Sequence, residues 1–220
     1  TEGWIAGLRL VANRLQTMED AESRRAFVEQ VAAADRHLFD LLAEEVLHRQ
    51  PEPLQAFLRE TSILRELTPA LCEGVTGRAD AGRLLADAVR RNLFLSSVGA
   101  FESALNPVYR YHDLFADFLR HRLAQTEEAE QIRELHRRAA AAETTPGRIV
   151  RHYLVAASWD EAATAVAHYG PKMLAEGQIA RVQSWLAAFP GDFRRQYPWL
   201  NYLSGMYYAE SGDFVQAKPL

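Results

Sequence analysis

Tyr109-Arg-Tyr-His-Asp-Leu-Phe-Ala-Asp-Phe-Leu-Arg-His-Arg122 reads as the end of a β-strand, one histidine at a turn, and then an amphipathic helix. Leu114, Phe115, Phe118, Leu119 and Leu123 recur at i, i+1, i+4, i+5 and i+9, which gathers them on one helical face. Asp113 falls in the first turn, where the positive end of the helix dipole favours a carboxylate. His112 is thereby set at a helix N-terminus, where backbone N–H groups are free to hold an anion. Two readings of His112 stay open on the residues alone: a capping or interfacial imidazole, or a contact to a bound anion.

Upstream, β-prone Leu93-Phe-Leu-Ser-Ser-Val98 and Val108-Tyr-Arg-Tyr111 flank a Gly/Ser/Asn/Pro-bearing loop and predict a hairpin. Before it come three short helices. The first follows Pro51 and Pro53, buries Leu54, Phe57 and Leu58, and ends near Ser62. The second runs from Thr68-Pro69 to Gly77. The third spans about Ala79 to Asn92 with Leu84, Leu85, Ala88 and Val89 inward. Three helices followed by a β-hairpin is the order of a winged helix-turn-helix, placed at 51–124 with the helix after the hairpin included.

Ahead of that domain, residues 1–50 read as helices. Trp4, Leu8 and Val11 share a face beside Gly3 and Gly7, and Asp35 is placed to cap a helix carrying Leu38, Leu41, Leu42 and Val46 up to Gln50. Residues 125–220 are Ala-rich and helical throughout. A helix over Gln131–Glu143 is broken by Thr145-Pro-Gly, and others cover Ile179–Phe189 and Pro198–Ser211. Trp159 is followed three residues later by Ala162, and Phe214 by Ala217, with Gly205, Tyr208 and Gly212 preceding the second pair. This spacing of small and aromatic residues matches tetratricopeptide-like hairpins, so an α-solenoid is expected to begin here. The fold class is thus mainly α: a winged-helix domain with a small β-hairpin, then solenoid helical hairpins. Thr1 opens directly into helical sequence and Lys218-Pro-Leu220 falls within a repeat, so the chain is expected to be part of something longer.

Composition narrows the function. A net charge of −4 over 220 residues, balanced as 15 Arg/Lys against 18 Asp/Glu before Thr126 and 10 against 11 after, offers no basic face for nucleic acid. Arg83, Arg90 and Arg91 on the third helix share it with Asp80 and Asp87, so little counterion release is available there. The single Cys72 excludes an internal disulfide framework and fits a reducing, cytoplasmic setting. No apolar run is long enough to span a bilayer. Phosphate-loop, G-x-S-x-G, H-E-x-x-H and C-x-x-C motifs are all absent, so no enzyme is expected in this segment. His121, His136, His152 and His168 lack ligand spacing and read as surface or interface histidines. Glu44-Glu45 reads as a solvated face. Trp159, Trp185, Trp199, Tyr202, Tyr207 and Tyr208 read as solenoid packing.

Four segments resemble one family, the large ATP-binding LuxR-type transcriptional regulators of the signal-transduction NTPase class. They are Thr1-Glu-Gly-Trp-Ile-Ala-Gly-Leu-Arg-Leu10, Leu42-Ala-Glu-Glu-Val-Leu47 leading to Gln50-Pro, Arg91-Asn-Leu-Phe-Leu95, and Tyr109 to Leu119. The resemblance implies that residues 1–50 end an NTPase-associated helical region, that 51–124 is the winged-helix domain, and that 125–220 begins a sensor arm. It also implies that Tyr111-His112-Asp113 stands where the class has Met-His-Asp, whose histidine contacts the β-phosphate of ADP. Gly3-Trp4-Ile5-Ala6 is the nearest counterpart of a Gly-Leu-Pro-Leu motif, with Ile5 in place of the proline that packs near the nucleotide. ADP or ATP is then expected in the parent protein rather than on this segment alone. The implied partners are an upstream NTPase domain, an inducer at the solenoid, further copies of the activated protein, and DNA through a separate C-terminal helix-turn-helix, with no membrane. The competing reading is a helical-repeat interaction scaffold without nucleotide dependence.

Overall fold

The computed structural model describes residue 20 and residues 36–98 and 107–210. The helices expected over 3–12 and around Phe27, with Ile5 and Asp35, lie outside the described residues, as does the repeat spacing after Glu210. Backbone contacts divide the chain into two compact units, Thr1–Glu128 and Ala129–Leu220.

In the first unit, α1 (Arg36–His48) buries Phe39, Leu42, Ala43 and Leu47. Leu42 is buried as the spacing requires, while Val46 is only half-buried. Glu44, read as solvated, instead bridges two elements: its carboxylate meets His48 Nε2 at 2.8 Å on its own helix and Arg122 Nη2 at 2.9 Å. Pro51 is extended (φ −57°, ψ 141°), so α2 (Glu52–Thr61) starts immediately after it with Pro53 in its first turn. Leu54, Phe57 and Leu58 are buried as the spacing requires. The Thr68 side chain caps α3 (Pro69–Thr76) by accepting from the Leu71 N–H at 3.2 Å. Gly77, at φ 67°, closes α3 in the left-handed conformation a glycine adopts without a Cβ penalty.

The third helix, α4 (Ala81–Arg90), ends in a Schellman closure: Asn92 sits at φ 55°, its N–H bonds Val89 O, and the Leu93 N–H bonds Ala88 O at 3.1 Å. The chain then turns again at Phe94, also at φ 55°. This double turn corrects the expected strand start. Leu93 and Phe94 are buried consecutively before the strand, and β1 covers only Leu95–Ser97. It pairs antiparallel with β2 (Tyr109–Tyr111) in the register Leu95↔Tyr111 and Ser97↔Tyr109. Leu67 adds a bridge to the other side of Tyr109, with reciprocal bonds of 2.8 and 2.9 Å, which the sequence pattern did not suggest. The α5 helix (Asp113–Thr126) follows and buries Phe115, Ala116, Phe118, Leu119 and Leu123, while Leu114 is half-buried.

The second unit is a run of helices joined by short connections: α6 (Ala129–Ala142), α7 (Pro146–Val155), α8 (Trp159–Ala175), α9 (Ile179–Ala188), α10 (Gly191–Gln196) and α11 (Pro198–Glu210). Thr145-Pro-Gly both ends the preceding helical stretch and starts α7, with Pro146 in its first turn. Two further Schellman closures follow, at Ala157 (φ 53°) and Gly177 (φ 76°). The core gathers Val150, Ala162, Val166, Leu174, Val182, Trp185, Leu186, Leu200 and Leu203. A Cβ at Gly170 would stand 3.2 Å from Leu203 Cδ1, so this glycine sets the approach of α8 to α11. Phe193, on the unforeseen α10, stacks on Phe189 and on Tyr197. Trp185 packs as expected, but Trp199 and Tyr202 do not. They are 44% and 55% exposed, stacked on each other at 4.9 Å on the outside of α11.

Candidate functional site

The turn between β2 and α5 is built from three neighbours with separate tasks. Tyr111 is 3% exposed, and its hydroxyl lies 2.8 Å from Thr61 Oγ1. Because Thr61 already donates to Phe57 O at 2.7 Å, Tyr111 is the donor in that pair. Burial pushes the phenol far above its ordinary range, so Tyr111 stays neutral and anchors the strand to α2. His112 has the extended backbone of an N-cap residue (φ −59°, ψ 136°). Its N–H donates to Phe94 O at 2.8 Å, and its carbonyl accepts from the Ala116 N–H at 2.9 Å. The ring is half-buried and does not cap the helix, while Asp113 beyond it is exposed. The N–H groups of residues 113–115 have no acceptor within the helix, as at any helix start.

Phe94 is the residue that fixes this turn, and sequence reasoning passed over it. A bulky side chain at positive φ is strained by about 1–3 kcal/mol, and the surroundings hold it there. Its ring lies 6.3 Å from Phe39 of α1 and 4.9 Å from Phe115 of α5, while its carbonyl receives the His112 N–H. No periodicity signals such a conformation; only the neighbouring Asn92, a residue tolerant of positive φ, marks the place.

The cations that a DNA reading requires are taken up on their own helix. Arg83 binds Asp80, and Arg90 and Arg91 both bind Asp87 at 2.8 and 3.0 Å. Those two guanidiniums, Arg91 foremost, hold the Asp87 carboxyl below the usual carboxylate range. Among the described residues, no three His, Cys, Asp or Glu side chains are grouped to hold a metal ion, and no helix is long and apolar enough to cross a membrane.

Two of the four scattered histidines come together. His136 on α6 and His152 on α7 meet at 2.8 Å between their Nδ1 atoms, and His152 is only 4% exposed. Of the two expected settings, surface or interface, His152 takes the interface. The signal lay in symmetry: 136 and 152 are equidistant from residue 144, the centre of the short connection between the two helices.

Residues 43–131 match the family model described as the MalT winged helix domain. This segment is a MalT-type winged-helix domain. The wider chain is similar to HTH-type transcriptional regulators MalT. It is 32% identical over 182 residues to that of Vibrio cholerae, covering 81% of this chain and 19% of the relative. The Vibrio campbellii protein is 28% identical, over 92% of this chain and 22% of its own length. The Yersinia pestis protein is 30% identical, over 90% and 22%. The chain therefore spans about a fifth of the length of the curated relatives it matches. The MalT-type domain accounts for the order of α2, α3, α4 and the hairpin, and its matched range takes in part of α1 and all of α5.

Proposed function

We propose that this chain is the regulatory middle segment of a nucleotide-controlled, LuxR-type transcription activator of the cytoplasm. The observation that carries the proposal is the MalT winged helix match over a segment whose His112 stands half-buried at the start of α5. In this reading an NTPase domain in the parent protein binds ADP or ATP, and His112 contacts the β-phosphate of ADP, with Ile5 as a second contact. The clamp keeps the regulator closed. Helical hairpins after Glu128 begin a tetratricopeptide-like sensor arm, where an inducer acts. Release of the clamp permits self-association, and DNA is reached through a helix-turn-helix elsewhere in the parent. The segment itself carries no catalytic step; it supplies a phosphate contact and a lever.

The test is His112→Ala in the full-length regulator, followed by ADP dissociation and basal transcription. Faster ADP loss and raised basal transcription are expected. An ADP off-rate and basal transcription both equal to wild type overturn the role. A nucleotide-independent docking scaffold is the competing reading, supported by the outward-facing Trp199–Tyr202 stack. It predicts that Trp199→Ala abolishes partner binding while His112→Ala leaves it intact.

A further inference from the structure

We propose that His136 and His152 form an acid-sensitive clasp, which holds the α6–α7 hairpin closed most firmly while both packed rings stay neutral. An Nδ1-to-Nδ1 contact of 2.8 Å is a hydrogen bond only if one ring donates and the other offers a lone pair. One imidazole must therefore be the Nδ1–H tautomer and the other the Nε2–H tautomer. Protonating the acceptor at Nδ1 sets two donors face to face, whereas protonating the donor at Nε2 keeps the bond but leaves a charge on a ring packed inside the hairpin. The ring centroids are 5.0 Å apart.

The surroundings oppose a charge on either ring. His152 is nearly inaccessible, and burial is the main cause holding it down to about 3 and His136 to about 4. The nearby cations act in the same direction: Arg151 repels a proton on both rings, and Arg148 repels one on His152. The neighbouring carboxylates are drawn to arginines: Glu143, between the two helices, lies 3.7 Å from Arg148. On α6, Glu130 and Glu134 are bound by Arg133, Arg137 and Arg138. The helices packed on α7 bring Asp160, Glu161, His168, Tyr169 and Lys172 from α8 and Arg181 from α9, and none of them favours a proton on the pair. Tyr153 lies on α7 itself. Both rings thus resist protonation when the hairpin is closed and accept it readily when it opens. As pH falls below about 6.5, the ordinary histidine value, the open form takes up protons that the closed form refuses. Closure is present above that value and is progressively lost below it.

The experiment follows amide protection factors of α6 and α7 by hydrogen exchange in the 220-residue chain between pH 7 and 5.5, against a His136→Gln/His152→Gln variant. Glutamines can donate and accept across the same gap without titrating. Two rings that regain ordinary values on opening should raise the open population roughly 50- to 100-fold in the wild type. The glutamine variant should stay flat. A flat wild type, or an equal loss in both proteins, overturns the clasp. Should the variant fail to fold, ring nitrogen shifts in the wild type decide. Two neutral rings of opposite tautomer persisting to pH 5.5 support the clasp, and either ring titrating near 6.5 overturns it.

Discussion

At Ala157 an L-residue with a Cβ occupies the conformation that Gly77 and Gly177 fill without penalty. A left-handed alanine costs on the order of 1 kcal/mol, so Ala157→Gly is expected to raise the stability of the second unit by about that amount. Thermal or denaturant melting checks it, and a lower midpoint would contradict the strain argument. Tyr111 makes a different case, because its hydroxyl is buried and bonded. Tyr111→Phe should cost about 1 kcal/mol by removing that donor from the Thr61–Phe57 chain. The two cases also divide what was legible. Gly77 announced its turn by being glycine. Ala157 and Phe94 did not, because their conformations are imposed by what packs around them rather than preferred by the residues themselves.

At the scale of the element, helix ends were the clearest part of the sequence. Pro51, Thr68, Pro69 and Gly77 each act locally, so their effect does not wait on tertiary packing. Thr68→Ala is expected to destabilise the first unit by about 1 kcal/mol through loss of the α3 cap, measurable by urea unfolding. The α5 helix was equally plain, since its apolar face was written at helical spacing. Phe115, fully buried against Phe94, Tyr111 and Phe118, is its centre. Phe115→Ala should cost about 3–5 kcal/mol and loosen the turn that carries His112, seen as lost amide protection there. The elements misread were those whose pattern fits two outcomes. An aromatic at helical spacing marks a face without saying whether a neighbour covers it, and Trp199 and Tyr202, expected in solenoid packing, face outward. A six-residue helix such as α10 is too short for periodicity to show.

Across the molecule, pH supplies a further prediction. Because His136 and His152 both have folded values well under 6.5, their contribution to stability is complete at neutral pH and disappears as the solution is acidified. At pH 5 the expected loss is up to about 2 kcal/mol per ring, seen as a falling melting temperature of the second unit. This pairing was the least legible feature of the candidate chemistry. Each histidine is unremarkable on its own helix, and only folding the two helices back about residue 144 makes them partners. His112 was legible for the opposite reason, since its strand, turn and helix are contiguous.

The Leu67–Tyr109 bridge joins backbone segments more than forty residues apart, and β1 must find β2 across the residues between them. In the second unit most helices pack on near neighbours in the chain. Loop closure must precede any reward from distant pairings, whereas helical hairpins gain from each step as it forms. The second unit should therefore refold in the faster phase of a stopped-flow experiment, and the sheet of the first in the slower. During synthesis the ribosome releases the slower unit first, which gives its β-ribbon time to assemble while the helices are still being translated.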